Sequence, residues 1–285
     1  MRRRVATAAA AAMLLCAAST ACRGQESGTG TSPAQAATGS PALPAPSPAP
    51  DAPPPVVTAQ VVARYPHDPA AFTQGLFVRD GRLYETTGLV GQSTLREVEL
   101  ATGKVHRQVD MPAGVFGEGA TDWGRQVYSI TWRDGVAYRW DRRSLRQLGE
   151  FRYAGEGWGL TQDGRRLILS DGTPELRFLD PDTFAETGRV TVTLAGSPLP
   201  MLNELEWIDG AVWANVWHQN SLVRIDPATG RVTQVLDLTP LVEAVTVSDP
   251  EAVPNGIAWD ARAKRLLVTG KKWPALFEIA LPPAP

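Results

Sequence analysis

From Val56 onward the chain reads as short runs of alternating apolar and polar residues, interrupted by Asp-Gly and related turns. Such alternation marks half-buried β-strands, because successive side chains of a strand point to opposite faces. No stretch carries a sustained helical period. Set beneath one another, the runs repeat: GLFVRDGRLYETTG from Gly75, GATDWGRQVYSITW from Gly119, GLTQDGRRLILSDG from Gly159, ELEWIDGAVWANVW from Glu204 and GIAWDARAKRLLVTGK from Gly256. Each is a strand, a tight turn and a second strand. A third run and a further turn follow in LREVELATGKV, AYRWDRRSLRQL, LRFLDPDTFAETGRV and LVRIDPATGRV, whereas the last unit has only LFEIA from Leu276. Four short strands per unit, at a period of roughly 40 to 50 residues, are what a propeller blade requires. The pattern therefore predicts an all-β, five-bladed β-propeller around a single central channel. The outer strand missing from the last unit is expected from VTAQVVARY, beginning at Val57, which would close the ring by joining the two ends of the domain.

The chain before this domain has a different texture. Residues 1–22, MRRRVATAAAAAMLLCAASTAC, carry three arginines, then an Ala/Leu/Met run, then small residues, the order of a secretory signal. Ser19-Thr20-Ala21 before Cys22 resembles a bacterial lipobox, with Ser19 where Leu is usual. Cys22 is then expected to become a lipidated membrane tether, simple cleavage after Ala21 being the alternative. Residues 23–55, rich in Pro, Ala, Ser and Gly, lack the large apolar residues of a core and read as a disordered linker. That leaves residues 56–285 as the folded domain of a chain expected to be exported, either as a cell-surface lipoprotein or as a periplasmic or secreted protein.

Cys16 and Cys22 are the only cysteines, so no disulfide staples the folded part. Lys and Arg number 28 against 30 Asp and Glu, and no basic block follows the extreme N-terminus, which argues against a nucleic-acid partner. A closed propeller is expected to be monomeric.

In a propeller the residues just before each innermost strand meet at one mouth of the channel. Here those places hold Phe72 and Gln74, Phe116 and Glu118, Glu156 and Trp158, Asn203 and Glu204, and Asn255. The second strands return to the same mouth with Trp132, Asp171, Trp217 and Lys271. Carboxylates, amides, indoles and an amine in such a ring describe a pocket with few charges and much aromatic surface. Glu118, between two glycines, is the candidate acid/base. Trp123, Trp140, Trp207, Trp213, Trp259 and Trp273 read instead as blade packing or surface positions. His67, His106 and His218 lack metal-ligand spacing, which argues against zinc catalysis. Glu156, Glu204, Glu206 and Asp171 leave open a structural calcium held in the channel.

At these residues the chain resembles the propeller glutaminyl cyclases, the glutaminyl-peptide cyclotransferase family of the plant and bacterial type. YPHDPAAFTQGL, LYETTGLVGQSTLREV, FGEG, GEGWGL, LNELEW, WANVW, IDPATG, NGIAWD and TGKKWPALFEI follow that family's segments in its order, over about Val57 to Leu281. The resemblance implies conversion of N-terminal glutaminyl residues of peptides and proteins to pyroglutamyl, with release of ammonia and no cofactor required. It makes Glu118 the general acid/base, and places Phe72, Gln74, Phe116, Trp132, Trp158, Asn203, Trp217 and Lys271 in the pocket. By chemistry, Asn203 suits stabilisation of an oxyanion and Lys271 suits charge stabilisation or tuning of Glu118. Two other readings remain open at this level: a metal-dependent propeller hydrolase or lactonase, and a noncatalytic tethered propeller that binds peptide or glycan.

Overall fold

Two-residue hairpins set the first level of structure. At Asp80-Gly81 and Asp209-Gly210 both central residues have positive φ, 54° and 72° in the first and 46° and 86° in the second. That is the conformation whose twist matches paired strands, and Asp-Gly adopts it readily. A computed structural model describes residues 52–285. The expected signal sequence with Cys22, and the linker up to residue 51, lie outside the described residues.

Five antiparallel sheets follow one another around a channel, as the repeat predicts. Blade 1 comprises Thr73–Arg79, Arg82–Thr87, Thr94–Val98 and Val105–Asp110. Blade 2 comprises Gly117–Trp123, Gln126–Thr131, Val136–Asp141 and Gln147–Arg152, and blade 3 Leu160–Gln162, Leu167–Ser170, Glu175–Leu179 and Glu186–Thr191. Blade 4 holds Leu202–Ile208, Ala211–Val216, Ser221–Ile225 and Val232–Asp237, and blade 5 Pro254–Asp260, Arg265–Gly270 and Ala275–Ile279. The only α-helix among the described residues is the short Thr239–Ala244.

The ring closes by a division of labour that the sequence pattern did not separate. The expected single closing strand is two strands. Val61–Pro66 pairs antiparallel with Ala275–Ile279 and completes blade 5, whereas Val56–Thr58 adds a fifth, parallel strand to the outer edge of blade 4. Ala59 is buried between them and anchors the crossing. One N-terminal segment thus covers the edges of two blades, and paired edges cannot template association with other chains.

Alternation places one apolar face of each sheet against its neighbour, and the buried residues form one cluster per blade junction. Phe77, Tyr84, Val127 and Trp140 lie between blades 1 and 2, and Tyr128, Ile130, Leu167 and Phe184 between 2 and 3. Ile168, Phe178, Leu205 and Val223 follow, then Trp213, Ile257, Trp273 and Phe277, and Leu76, Leu83, Leu267 and Leu276 return to blade 1. All six tryptophans assigned to packing or the surface belong to these clusters. Each large side chain so buried contributes roughly 1.5–3 kcal/mol.

Toward the channel the packing is polar. Glu204, fully buried on the inner strand of blade 4, accepts from the backbone N–H of Leu76 in blade 1 at 3.2 Å and of Ile257 in blade 5 at 2.7 Å. It binds three blades together. Burial pushes its carboxyl well above the ordinary range, with Glu206 adding to the effect.

Candidate active site

Four of the five inner strands lose their regular register at the same end. The shifts fall between Thr73 and Gly75, Gly117 and Ala120, Leu202 and Leu205, and Pro254 and Ile257. Gln74, Glu118, Asn203 and Asn255 occupy these irregular steps. A bulge re-aims side chains that a regular strand would turn to its faces, so the irregularity explains how amides and a carboxylate come to surround one channel mouth. Gly119 makes the approach tight: a Cβ there would stand 2.5 Å from the backbone N of Leu160. The glycine lets its N–H reach the Trp158 carbonyl at 2.9 Å, which ties the backbone beside Glu118 to the segment leading into blade 3.

A cavity of about 420 Å³ opens at this mouth. All nine side chains singled out in the sequence line it: Glu118, Asn203 and Lys271, with Phe72, Gln74, Phe116, Trp132, Trp158 and Trp217. Leu89, Glu251 and Lys272 complete the lining. Glu118 lies at 5% exposure, and its Oε1 accepts from Nε2 of Gln74 at 3.0 Å. Gln74 is itself oriented, since its Oε1 accepts from Nδ2 of Asn255 at 3.0 Å. Burial pushes the Glu118 carboxyl well above the usual carboxylate range, the positive charge of Lys271 opposing this and Glu156 adding to it. Burial likewise lowers Lys271, against the pull of Glu118 and Glu251. A carboxyl moved toward neutrality beside an amine lowered from its usual value is a pair suited to moving protons.

The aromatic wall is built from edge-to-face pairs. Phe72 meets Phe116 at 6.1 Å, Phe116 meets Trp132 at 5.7 Å, and Trp158 meets Trp217 at 5.4 Å. One rim carboxylate holds two of these rings: Oε2 of Glu156 accepts from Nε1 of Trp132 at 2.7 Å and of Trp158 at 2.9 Å. Arg133 pairs with the other oxygen of Glu156 at 2.9 Å and lies over the Trp132 ring at 3.7 Å. Trp217 differs from its neighbours. Its indole N–H is buried without a hydrogen-bond partner, as is Oδ1 of Asn203. Unpartnered polar atoms beside a cavity are places for a ligand to complete the hydrogen bonding.

Residues 34–281 match the sequence profile of the glutamine cyclotransferase family. The chain belongs to this family. A glutaminyl-peptide cyclotransferase of Arabidopsis thaliana is 41% identical over 226 residues, which cover 78% of this chain and 71% of the relative. The crystal structure of Myxococcus xanthus glutaminyl cyclase superimposes with a TM-score of 0.76 at 40% identity, covering 80% of this chain and 97% of that one.

Within this glutamine cyclotransferase the carboxylates considered as ligands for a channel cation are spread apart. Glu204 is engaged in the channel wall, while Glu206 lies nearer the opposite mouth and accepts from the N–H of Trp259 at 2.9 Å. Asp171 accepts from N–H and Oγ1 of Thr173 in its own turn. Glu156 stays at the rim. Among the described residues no three His, Cys, Asp or Glu side chains group as a metal site would require. Lys272, unassigned beside Lys271, pairs with Asp249 at 2.5 Å. The sequence reading missed Leu89 and Glu251, which lie in loops outside the repeat register. It also missed the positioning contacts of Asn255 and Glu156, although both residues had been placed at this mouth.

Proposed function

We propose that the chain is a glutaminyl-peptide cyclotransferase in which Glu118 is the general acid/base. The α-amine of an N-terminal glutamine attacks its own γ-amide carbonyl, forming the ring C–N bond. The C–N bond to the amide nitrogen then breaks and ammonia leaves. Glu118 takes the proton from the attacking amine and delivers it to the departing nitrogen, so one carboxyl serves both steps. The observation that carries this reading is Glu118 itself: a deeply buried carboxyl of raised proton affinity, hydrogen-bonded to Gln74, in an aromatic cavity of a family member.

The unpartnered N–H of Trp217 and the donor Nδ2 of Asn203, whose side chain lines the cavity, suit the amide oxygen as it gains negative charge. The indoles held by Glu156 suit the compact, folded-back side chain needed for ring closure. Every proton-transfer and oxyanion role falls to a side chain of this protein, so we expect turnover to be independent of a metal ion. The domain acts as an exported monomer on peptides with N-terminal Gln, tethered through a lipidated Cys22.

Ammonia release from a Gln-initiated dipeptide, with and without chelator and beside Glu118→Gln, tests the reading. Chelator-resistant release that vanishes in the variant supports it. Release lost on chelation returns the metal-dependent hydrolase reading, and no release from the folded wild-type protein returns the binding platform.

A further inference from the structure

A second cavity, of about 500 Å³, lies at the other end of the strands, between blades 1 and 2. The hairpin turn at Asp80, the turn at Arg125 and the turn at 141–143 meet there, all at strand ends remote from Glu118. Five arginines line it, Arg82, Arg107, Arg125, Arg142 and Arg143, with Tyr84, Asp80 and Asp141. Four carboxylates answer the five guanidinium groups, Asp122 behind Arg142 being one of them and pairing with Arg79 at 3.4 Å, and each is already engaged. Glu97, buried beneath, pairs with both Arg82 and Arg107. Asp80 pairs with Arg142 at 2.7 Å. Asp141 closes its own turn, accepting from N–H and Oγ of Ser144 at 2.8 and 2.7 Å. Arg125 and Arg143 are exposed and form no ion pair among the described residues. Guanidinium forks converging on an open cleft, with their local anions spent, match the oxygens of phosphate groups.

The position of the cleft narrows the source of those phosphates. Exposed Val61, Val62 and Leu148 also stand at strand ends on this side. A surface that is basic and partly apolar fits the headgroup region of an anionic phospholipid membrane. Contact there would leave the substrate mouth facing away.

We infer that the cleft lined by Arg125 and Arg143 is a binding site for anionic phospholipid headgroups, which orients the propeller with its active site away from the membrane. The inference builds on the tether proposed above but is separable from it, because it concerns arginines of the propeller and not the acyl chain.

The experiment is cosedimentation of the chain from residue 23 onward, so that neither the basic signal segment nor an acyl chain contributes, with vesicles of phosphatidylcholine alone or containing phosphatidylglycerol. Binding is expected only to the anionic vesicles, falling with salt. Arg125→Ala with Arg143→Ala is expected to weaken it by about 25-fold, at roughly fivefold per arginine near an anionic surface. Turnover of a soluble dipeptide should be unchanged in that variant, which also reports that it folds. Equal binding by parent and variant overturns the inference. So does saturable binding of inorganic phosphate without any of the vesicles, which would make the cleft a site for soluble anions. Failure of lipidation at Cys22 would leave all of these outcomes readable.

Discussion

Gln74 donates its side-chain N–H to Oε1 of Glu118 at 3.0 Å, reaching across from the neighbouring blade to the carboxyl at the centre of the cavity. Its amide is aimed by Asn255, which binds Oε1 of Gln74 and the backbone carbonyl of Thr73 at 2.9 Å. Asn255→Ala should free Gln74 to turn and cost about 1–1.5 kcal/mol of transition-state stabilisation, roughly tenfold in kcat/KM. Steady-state kinetics beside a thermal melt would check this. An unchanged kcat/KM in a folded variant would remove Asn255 from the positioning of Gln74.

Trp217 offers a cleaner substitution, because Trp217→Phe keeps an aromatic ring against Trp158 and deletes the unpartnered N–H. If that N–H meets the developing oxyanion, kcat should fall by about 10²-fold, in the range seen for loss of one such donor. A rise in KM alone would assign Trp217 to packing of the substrate.

Lys271 holds down the proton affinity of Glu118, against the burial that raises it. Lys271→Met removes that opposing charge, so the Glu118 carboxyl moves further up. With Glu118 acting first as base, the acidic limb of the kcat/KM profile should shift to higher pH. A profile of reduced height and unmoved limb would mean that Lys271 acts on the substrate rather than on Glu118.

Glu206 links the channel to stability. Burial pushes its carboxyl up to about 8 from an ordinary 4.5. The folded state therefore binds more protons than the unfolded state between these values, so stability is fullest below the lower one and declines as pH rises toward the upper. Glu206→Gln should flatten this decline by a few kcal/mol, on the order expected for a buried carboxyl shifted this far. Denaturant melts of both proteins at pH 5 and pH 8 would show it. An identical pH slope in the variant would assign the dependence to other groups, Glu204 first.

The ring of five blades was legible because its causes are local. Strand alternation and Asp-Gly turns act over a few residues and repeat along the chain. The repeat register also brought Phe116, Glu118, Trp132 and Lys271 to one mouth, and the cavity contains them all. The tertiary structure alone decided what lies between the blades. The pairing of Asn255 with Gln74, the three-blade grip of Glu204 and the split closing segment join residues far apart in sequence. Their partners are chosen only when the ring closes. The bulges that aim Gln74 and Glu118 follow the same rule, since an extra residue in a strand has meaning only against the strand it pairs with. Burial, which raises Glu118 and lowers Lys271, likewise belongs to the assembled channel and to no segment of it.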